Sequence, residues 1–211
     1  IQLPEDYRPL WLKRTSPDYR NAMHYLKGRG ISIFDIIRYR IGYSENGPYS
    51  GKIIIPSYDC EGQLNYFVSR AFYEHDSYKH KNPKVSKDII GFDMLINWNE
   101  PIILCEGAFD AITIKRNAIP LFGKQINPKL RIKIIEEGVK EIYICLDQDA
   151  IKNAKHIAQT FMTEGIKVHL VKLDNDDPNE LGYEKITEKI HDTYQFSFEE
   201  LMQMEINSLW K

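Results

Sequence analysis

The chain has 211 residues, of which 43% are hydrophobic and 27% are charged, enough for one large domain or two small ones. No apolar run reaches the roughly 18 residues of a membrane span, and no secretory leader or CxxC pair is present. We therefore expect an intracellular protein without membrane contact. Residues 1–95 hold 14 Lys and Arg against 11 Asp and Glu, whereas residues 96–211 hold 14 against 19. This asymmetry is expected if the first half contacts a polyanion and the second half collects cations.

The first half contains a predicted β-hairpin followed by a basic loop. Residues 51–70, GKIIIPSYDCEGQLNYFVSR, hold two β-rich runs joined by a turn with Asp59 and Gly62. Pro83 prevents a helix in the following KHKNPKVSK, so its lysines are expected on an irregular loop that can follow phosphates. The alternative is a solvated run of lysines without a ligand.

Short apolar runs alternate with helix-like stretches in the second half. The runs EPIILCEG, AIPLFGK, EIYICLDQDA and KVHLVKL predict four strands of a parallel sheet. Such strands are apolar on both faces, so helices must cover both sides of the sheet. The sequence therefore predicts a doubly wound α/β layer.

The linking helices carry their own signals. Asn127 and Pro128 are expected to begin one helix, with Ile132, Ile135 and Val139 as its apolar stripe. In the next helix apolar residues recur at i, i+3, i+4 and i+7, and a glycine follows where a left-handed C-terminal cap is needed. These residues are Ala154, Ile157, Ala158, Phe161 and Gly165. The tail FSFEELMQMEINSLW, which includes Trp210, is roughly amphipathic and either packs on the domain or continues as a longer helix.

Acidic side chains follow three of the predicted strands. Glu106 ends the first strand, Asp147 and Asp149 end the third, and Asp177 follows the fourth. Because the carboxyl ends of parallel strands meet at one edge, we expect these acids to converge, with Asp147 and Asp149 on an extended segment pointing the same way. Carboxylates packed this closely repel each other, so the cluster is best explained as a Mg²⁺ site. Helix capping is the alternative for Asp149 or Asp174 considered alone.

Three motifs carry a resemblance to a known family. CEGAFDA, LDQDA and DDPNELG occur in this order, about 40 and 30 residues apart. They resemble the motifs of the TOPRIM domain, which DnaG-type primases share with topoisomerases, OLD-family nucleases and RecR-like proteins. Upstream, KGRGIS, YRIGYS, the predicted hairpin and KHKNP resemble the first part of the RNA polymerase domain of bacterial and bacteriophage primases.

The resemblance implies an α/β protein in three segments. Residues 1–95 would form a basic α+β subdomain, residues 96–190 a TOPRIM catalytic subdomain with a parallel sheet, and residues 191–211 a helical tail. The implied activity is that of a DNA primase, a nucleotidyltransferase that makes short RNA primers on single-stranded DNA from ribonucleoside triphosphates. A metal-dependent TOPRIM nuclease and a non-catalytic fragment that binds single-stranded DNA are the alternatives.

The resemblance also implies roles for individual acids. Glu106, Asp147 and Asp149 would be catalytic and, with Asp177, would hold Mg²⁺ or Mn²⁺, as two ions. Asp110, one helical turn after Glu106, would be a supporting acid. A replicative helicase, fused or separate, is the expected partner, and the expected location is the bacterial cytoplasm, that of the host cell if the chain comes from a bacteriophage.

Nucleic-acid and nucleotide contacts are implied for a further set of residues. These are Arg70, Lys79, Asn82 and Lys87. Lys124, in LFGKQI, stands where bacterial primases have a Gly-Thr turn, and a contact with a triphosphate is expected from it. Asn179 is a second departure, because an Asp is frequent there.

Overall fold

The structure, a computed structural model, describes residues 1–76, 78–173 and 176–209. Asp174 and Trp210, which the sequence singled out, lie outside these residues. The chain divides into two compact units, Ile1–Met94 and Leu95–Lys211. Among the described residues, no helix is both long enough and apolar enough to cross a bilayer.

The first unit contains a four-stranded antiparallel sheet in the order β1-β2-β3-β4. Its strands are β1 (Tyr7–Pro9), β2 (Gly42–Ser44), β3 (Lys52–Tyr58) and β4 (Leu64–Ala71). The predicted hairpin is confirmed as β3 and β4. In its turn, the Asp59 carboxylate accepts from the backbone N–H of Gln63 at 2.8 Å, and Gly62 adopts a left-handed φ of 79°.

Two capped helices accompany this sheet, α1 (Pro17–Gly28) and α2 (Ile33–Arg38). The Ser16 hydroxyl accepts from the backbone N–H of Tyr19 at 3.2 Å, which satisfies a free donor at the start of α1. Ser32 caps α2, and the Asp35 carboxylate accepts from the Ser32 N–H in return at 2.9 Å. The Ser16 cap fixes the start of α1, and Arg29 closes its end, where the Arg29 backbone N–H donates to the Tyr25 and Leu26 carbonyls.

The second unit contains four parallel strands in the order β6-β5-β7-β8, as the sequence predicted. The strands are β5 (Ile102–Cys105), β6 (Ala118–Pro120), β7 (Glu141–Cys145) and β8 (Lys167–Leu170). The chain passes from β5 to β6 on one side, and β7 and β8 lie on the other. The carboxyl ends of β5 and β7 therefore form a topological switch point, where the following loops diverge.

Among the described residues, this unit has the α-helices α3 (Ala108–Ile114), α4 (Pro128–Glu136), α5 (Ile151–Thr163), α6 (Pro178–His191) and α7 (Phe198–Leu209). The prediction for α5 is confirmed, since its four apolar residues are buried and Gly165 follows with a φ of 77°.

The predicted apolar stripe of α4 is wrong in part. Asn127 does cap the helix, accepting from the Leu130 N–H at 2.8 Å. However, Ile132 and Ile135 are 53% and 38% exposed, whereas Leu130 and Ile134 are buried. The buried face of this helix is instead formed by Leu130 and Ile134, at i and i+4.

The tail returns to the second unit. The backbone N–H of Phe196 donates to the Val168 carbonyl at 2.7 Å, and Gln195 forms an isolated bridge with His169, so this segment covers part of edge strand β8. Leu201 of α7 is only 1% exposed. The tail therefore packs on the unit, which was one of the two sequence predictions for it.

Candidate metal centre and cationic cleft

Three carboxylates meet at the switch point of the second unit. Glu106 directly follows β5, and Asp147 and Asp149 follow the neighbouring strand β7. One oxygen from each of the three residues lies within 4.8 Å of the other two. The sheet order brings the acids together, because β5 and β7 are adjacent although 41 residues separate Glu106 from Asp147.

The local geometry differs from the extended segment predicted for Asp147 and Asp149. Gln148–Ala150 forms a 3₁₀ turn, so the side chain of Asp149 is turned outward and is 72% exposed. Glu106 is tied to the turn from the other side, since its Oε1 accepts from the Asp147 N–H at 3.2 Å. The convergence of the three acids therefore comes from the turn and the neighbouring strand.

The cluster has the chemistry of a hard-cation site. The Oδ1 atom of Asp147 is buried and finds no hydrogen-bond donor among the described residues. Burial and the nearby Asp177 and Asp149 raise the pKa of Asp147, and burial and Asp147 raise the pKa of Glu106. Both ionised carboxylates are thus disfavoured without a positive partner. Carboxylate oxygens are the ligands that Mg²⁺ and Mn²⁺ prefer, so the residues fit such an ion.

Asp110, the predicted supporting acid, braces the turn after Glu106. It lies in the first turn of α3 and is 8% exposed. Its Oδ2 accepts from the Gly107 N–H at 2.8 Å, and a Cβ at Gly107 would stand only 3.0 Å from that oxygen. Burial and, second, Asp177 raise the pKa of Asp110 to about 7. This carboxylate orders the backbone that presents Glu106.

Asp177 begins α6. Its Oδ1 accepts from the Glu180 N–H at 2.7 Å, which is a helix N-cap. Within the part of the chain that the structure describes, it is not among the acids of the 4.8 Å cluster. Its charge nevertheless raises the pKa of Asp147 and of Asp110. A role for Asp177 as a metal ligand stays a prediction.

Asn179, the departure from the expected Asp, has a structural role. It is buried, and its Nδ2 donates to the Thr113 hydroxyl at 2.8 Å. This hydrogen bond joins α6 to α3, the helix that follows Glu106. The neutral amide therefore helps to position the third motif beside the first.

Lys124 lies on the loop between β6 and α4, and its ammonium forms an ion pair with Oδ2 of Asp149. The predicted contact between Lys124 and a triphosphate remains untested. The structure instead reveals a partner within the acidic cluster, which no spacing in the sequence indicated.

The first unit holds a cationic cleft of about 320 Å³ between α1 and the end of β4. The Tyr25 hydroxyl accepts from Nε of Arg29 at 2.8 Å and from Nε of Arg70 at 3.2 Å. Lys79 also lines the cleft, and His80 contacts Arg70. Burial and the neighbouring Arg70 lower the pKa of His80, as expected where positive charge accumulates. The cleft is suited to an anionic ligand.

The other predicted nucleic-acid contacts lie apart from this cleft. Asn82 accepts from the Ser69 N–H at 3.0 Å and so holds the basic loop against β4. Lys87 is exposed on the same loop, and among the described residues neither of these two lines the cleft. Sequence reasoning missed Arg29 and Tyr25. The stretch KGRGIS, which carries part of the resemblance, contains Arg29 but not Tyr25.

A parallel sheet with one Glu and an Asp pair at its switch point defines a class of metal-binding α/β proteins. A family model described as the Toprim domain matches residues 101–187 of this chain. The uncharacterized protein MG010 of Mycoplasma genitalium is 30% identical over 181 residues, which cover 77% of this chain and 80% of MG010. The chain belongs to the same family as MG010.

Solved structures share the fold. The Aquifex aeolicus primase, with its zinc binding and RNA polymerase domains, matches with a TM-score of 0.70 and 20% identity over 84% of this chain. This chain spans 57% of that one, which is less than two thirds. A DnaG primase catalytic domain bound to ssDNA matches with a TM-score of 0.73 and 19% identity, over 92% of this chain and 77% of the other. The predicted DnaG-type fold with a TOPRIM sheet is therefore confirmed.

Proposed function

We propose that this chain is the catalytic core of a DNA primase, a nucleotidyltransferase that makes short RNA primers on single-stranded DNA for replication. The observation that carries the proposal is the cluster of Glu106, Asp147 and Asp149 at the switch point of a DnaG-type fold. Residues 1–95 would bind template or nucleotide, residues 96–190 would carry the chemistry, and residues 191–211 would form a helical tail.

The acidic residues would work as one unit. Asp147 and Asp149, with Glu106 and Asp177, would hold two Mg²⁺ or Mn²⁺ ions. When bound, such ions supply positive charge to the triphosphate and activate the attacking 3′-hydroxyl. Glu106 would serve as a ligand or as the base that takes the hydroxyl proton, and burial raises its pKa, which makes the carboxylate a stronger base. Asp110 would keep the Glu106 turn in place through Gly107.

The cationic cleft of the first unit would bind phosphates of the template or of a ribonucleoside triphosphate. The shared Tyr25 hydroxyl holds the guanidinium groups of Arg29 and Arg70, whose planar donors match phosphate oxygens. Lys79 would add charge at the cleft, and Lys87 would do so along the exposed loop. Asn82 would act by holding that loop on β4.

The proposal also includes partners and a location. A replicative helicase, fused or separate, would bring the core to single-stranded DNA. The site of action would be the bacterial cytoplasm, or that of an infected host if the chain comes from a bacteriophage. MG010, the relative described above, comes from a bacterium.

The test is incorporation of labelled ribonucleotides on single-stranded DNA with Mg²⁺ or Mn²⁺. We expect short RNA products from the parent chain and none from the double variant Asp147→Asn/Asp149→Asn, since it keeps the size of both side chains but removes their charge. Asp192→Asn is the matched control, because it removes one acidic charge from an exposed position after α6.

Other results would change the proposal. Metal-dependent cutting of the template without RNA synthesis would replace it with a nuclease. Binding of single-stranded DNA with neither activity, in any metal, would favour the non-catalytic fragment. RNA synthesis that survives in Asp147→Asn/Asp149→Asn would place the chemistry outside the acidic cluster.

A further inference from the structure

The loop that carries Lys124 is fixed to the end of β5. The Leu121 N–H donates to the Cys105 carbonyl at 2.8 Å, and the Gly123 N–H donates to the Glu106 carbonyl at 3.3 Å. Between them, Phe122 is buried with a left-handed φ of 51°, a conformation that persists only where the surroundings hold it. The backbone of Lys124 is therefore anchored directly beside Glu106.

The other end of the loop is fixed as well. Asn127 caps α4 through its hydrogen bond to the Leu130 N–H. Only Lys124, Gln125 and Ile126 lie between the two fixed points. The lysine side chain consequently starts from a defined position at the switch point and reaches the acidic cluster.

The ammonium of Lys124 occupies an oxygen that belongs to the candidate metal centre. It forms an ion pair with Oδ2 of Asp149, and this contact raises the pKa of Lys124. The ligand atom of Asp149 lies within 4.8 Å of those of Glu106 and Asp147, so this cation stands beside the whole cluster. A divalent cation that uses this oxygen of Asp149 therefore has to displace the ammonium of Lys124 from it.

The two cations compete by simple electrostatics. An ammonium about 5 Å from a divalent ion lowers the affinity for that ion by roughly three- to twentyfold, even when water screens the pair. An ammonium that contacts the ligand oxygen also has to leave it before the ion can bind there.

We infer that Lys124 is a built-in counter-cation that competes with the divalent cation for Asp149 and sets the affinity of the centre. The inference rests on the proposed metal-dependent function, which it deepens by naming the residue that regulates metal binding. Lys124 acts on the metal centre through its ion pair with Asp149, so it is a positioning residue and not a catalytic one.

The experiment is a titration of the full chain with Mn²⁺ alone, followed by the electron paramagnetic resonance signal of the free ion. Lys124→Gln and Lys124→Met should each bind Mn²⁺ more tightly than the parent chain, by roughly three- to twentyfold. Two neutral variants are used so that a direct contribution of the glutamine amide can be recognised. Lys124→Arg should stay close to the parent chain.

The matched control is Lys140→Gln. It removes the same charge from an exposed residue that precedes Glu141, at the amino end of β7 and therefore the opposite edge of the sheet. We expect its Mn²⁺ affinity to remain within about twofold of the parent value, because the interaction falls with distance and is screened by salt.

The possible failures are distinguishable. Lys124→Gln and Lys124→Met could bind Mn²⁺ no more tightly than the parent chain, while Asp147→Asn abolishes the binding. In that case the inference about Lys124 is wrong and the proposed metal centre stands. If Mn²⁺ binding does not depend on Asp147 in any of these chains, both the inference and the metal-dependent function are overturned.

Discussion

The two units concentrate charge of opposite sign by different means. In the first unit, Arg29 and Arg70 share the hydroxyl of Tyr25, so a side chain holds two like charges together. In the second unit, Glu106 and Asp147 are brought together by the adjacency of β5 and β7. Like charges at such distances repel, so each arrangement favours a ligand of the opposite sign. Charge of one sign can therefore be gathered either by a shared hydroxyl between side chains or by the adjacency of two strands.

The largest expected effect is the loss of cation binding in Asp147→Asn. In the parent chain, the buried Oδ1 atom of Asp147 has no hydrogen-bond donor among the described residues, so this ionised carboxylate is the group most in need of a cation. We expect Mn²⁺ affinity to fall by at least about 100-fold. Binding of single-stranded DNA should be unchanged, because the cationic cleft belongs to the first unit. If the variant lost Mn²⁺ binding and DNA binding equally while circular dichroism showed that it was folded, the two sites would not be separate.

The next effect concerns stability. Asp110 is buried, and its pKa in the folded chain, about 7, lies above its ordinary value of 3.8. Folding therefore favours the protonated form, so Asp110 opposes folding above pH 7, and this penalty fades as the pH falls toward 4. Asp110→Asn keeps an acceptor for Gly107 and should be more stable by roughly 2 kcal/mol at pH 8.

Denaturation of the parent chain and Asp110→Asn in the presence of a chelator checks this prediction. The difference should disappear near pH 4, where the aspartate is protonated in both the folded and the unfolded state. Hydrogen exchange should locate the gain in α3, with α1 of the first unit unaffected. A variant less stable than the parent at pH 8 would show that the ionised carboxylate is favourable and the assigned pKa direction wrong.

Arg70→Ala is the complementary test in the first unit. Removal of one of two paired guanidinium groups should weaken binding of single-stranded DNA about tenfold at low salt and reduce the salt slope by about one. Mn²⁺ binding should not change. Arg131→Ala serves as the control, since it removes an exposed arginine from α4 of the second unit. Fluorescence anisotropy of a labelled oligonucleotide measures the affinity of both variants for single-stranded DNA. If both variants lost affinity equally, the loss would reflect net charge and not the cationic cleft.

The smallest effect is the dependence on pH. Protons compete with the cation for Glu106 and Asp147, whose pKa values are raised mainly by burial. Mn²⁺ affinity should therefore fall as the pH is lowered, and the fall should begin at a higher pH than for carboxylates with ordinary pKa values. Binding of single-stranded DNA should not weaken in the same way, because its proposed contacts come from arginine and lysine side chains. Titrations with Mn²⁺ and with single-stranded DNA at three pH values separate the two responses. If both affinities fell together, the two units would not bind their ligands independently.

Much of the fold could be predicted because its signals are local. The hairpin turn at Asp59 and Gly62, the cap at Asn127 and the apolar face of α5 are each determined within a few residues. The acids of the second unit were also predictable, because parallel strands place their carboxyl ends at one edge. The stripe of α4 was assigned in the wrong phase, since Ile132 and Ile135 satisfy the spacing without facing the core.

The parts of the sites that escaped prediction depend on contacts between distant residues. Tyr25 and Arg70 are 45 residues apart, and Lys124 and Asp149 are 25 apart. No periodicity or cap relates such pairs, because their distances depend on how α1 meets β4 and on how the loop after β6 attaches to the end of β5. The resemblance located Arg70 and Lys124 in the chain but could not supply their partners.

The sequence by itself determined the hairpin, the parallel strands and helix α5, the order of the acids along the chain and the opposite charge of the two halves, because each depends on residue type and short spacing. Only the tertiary structure decided that Asp149 points outward to Lys124 and that Tyr25 of α1 also holds Arg70 of β4. These features arise from the packing of separate elements, where a side chain's partner depends on the path of the whole chain.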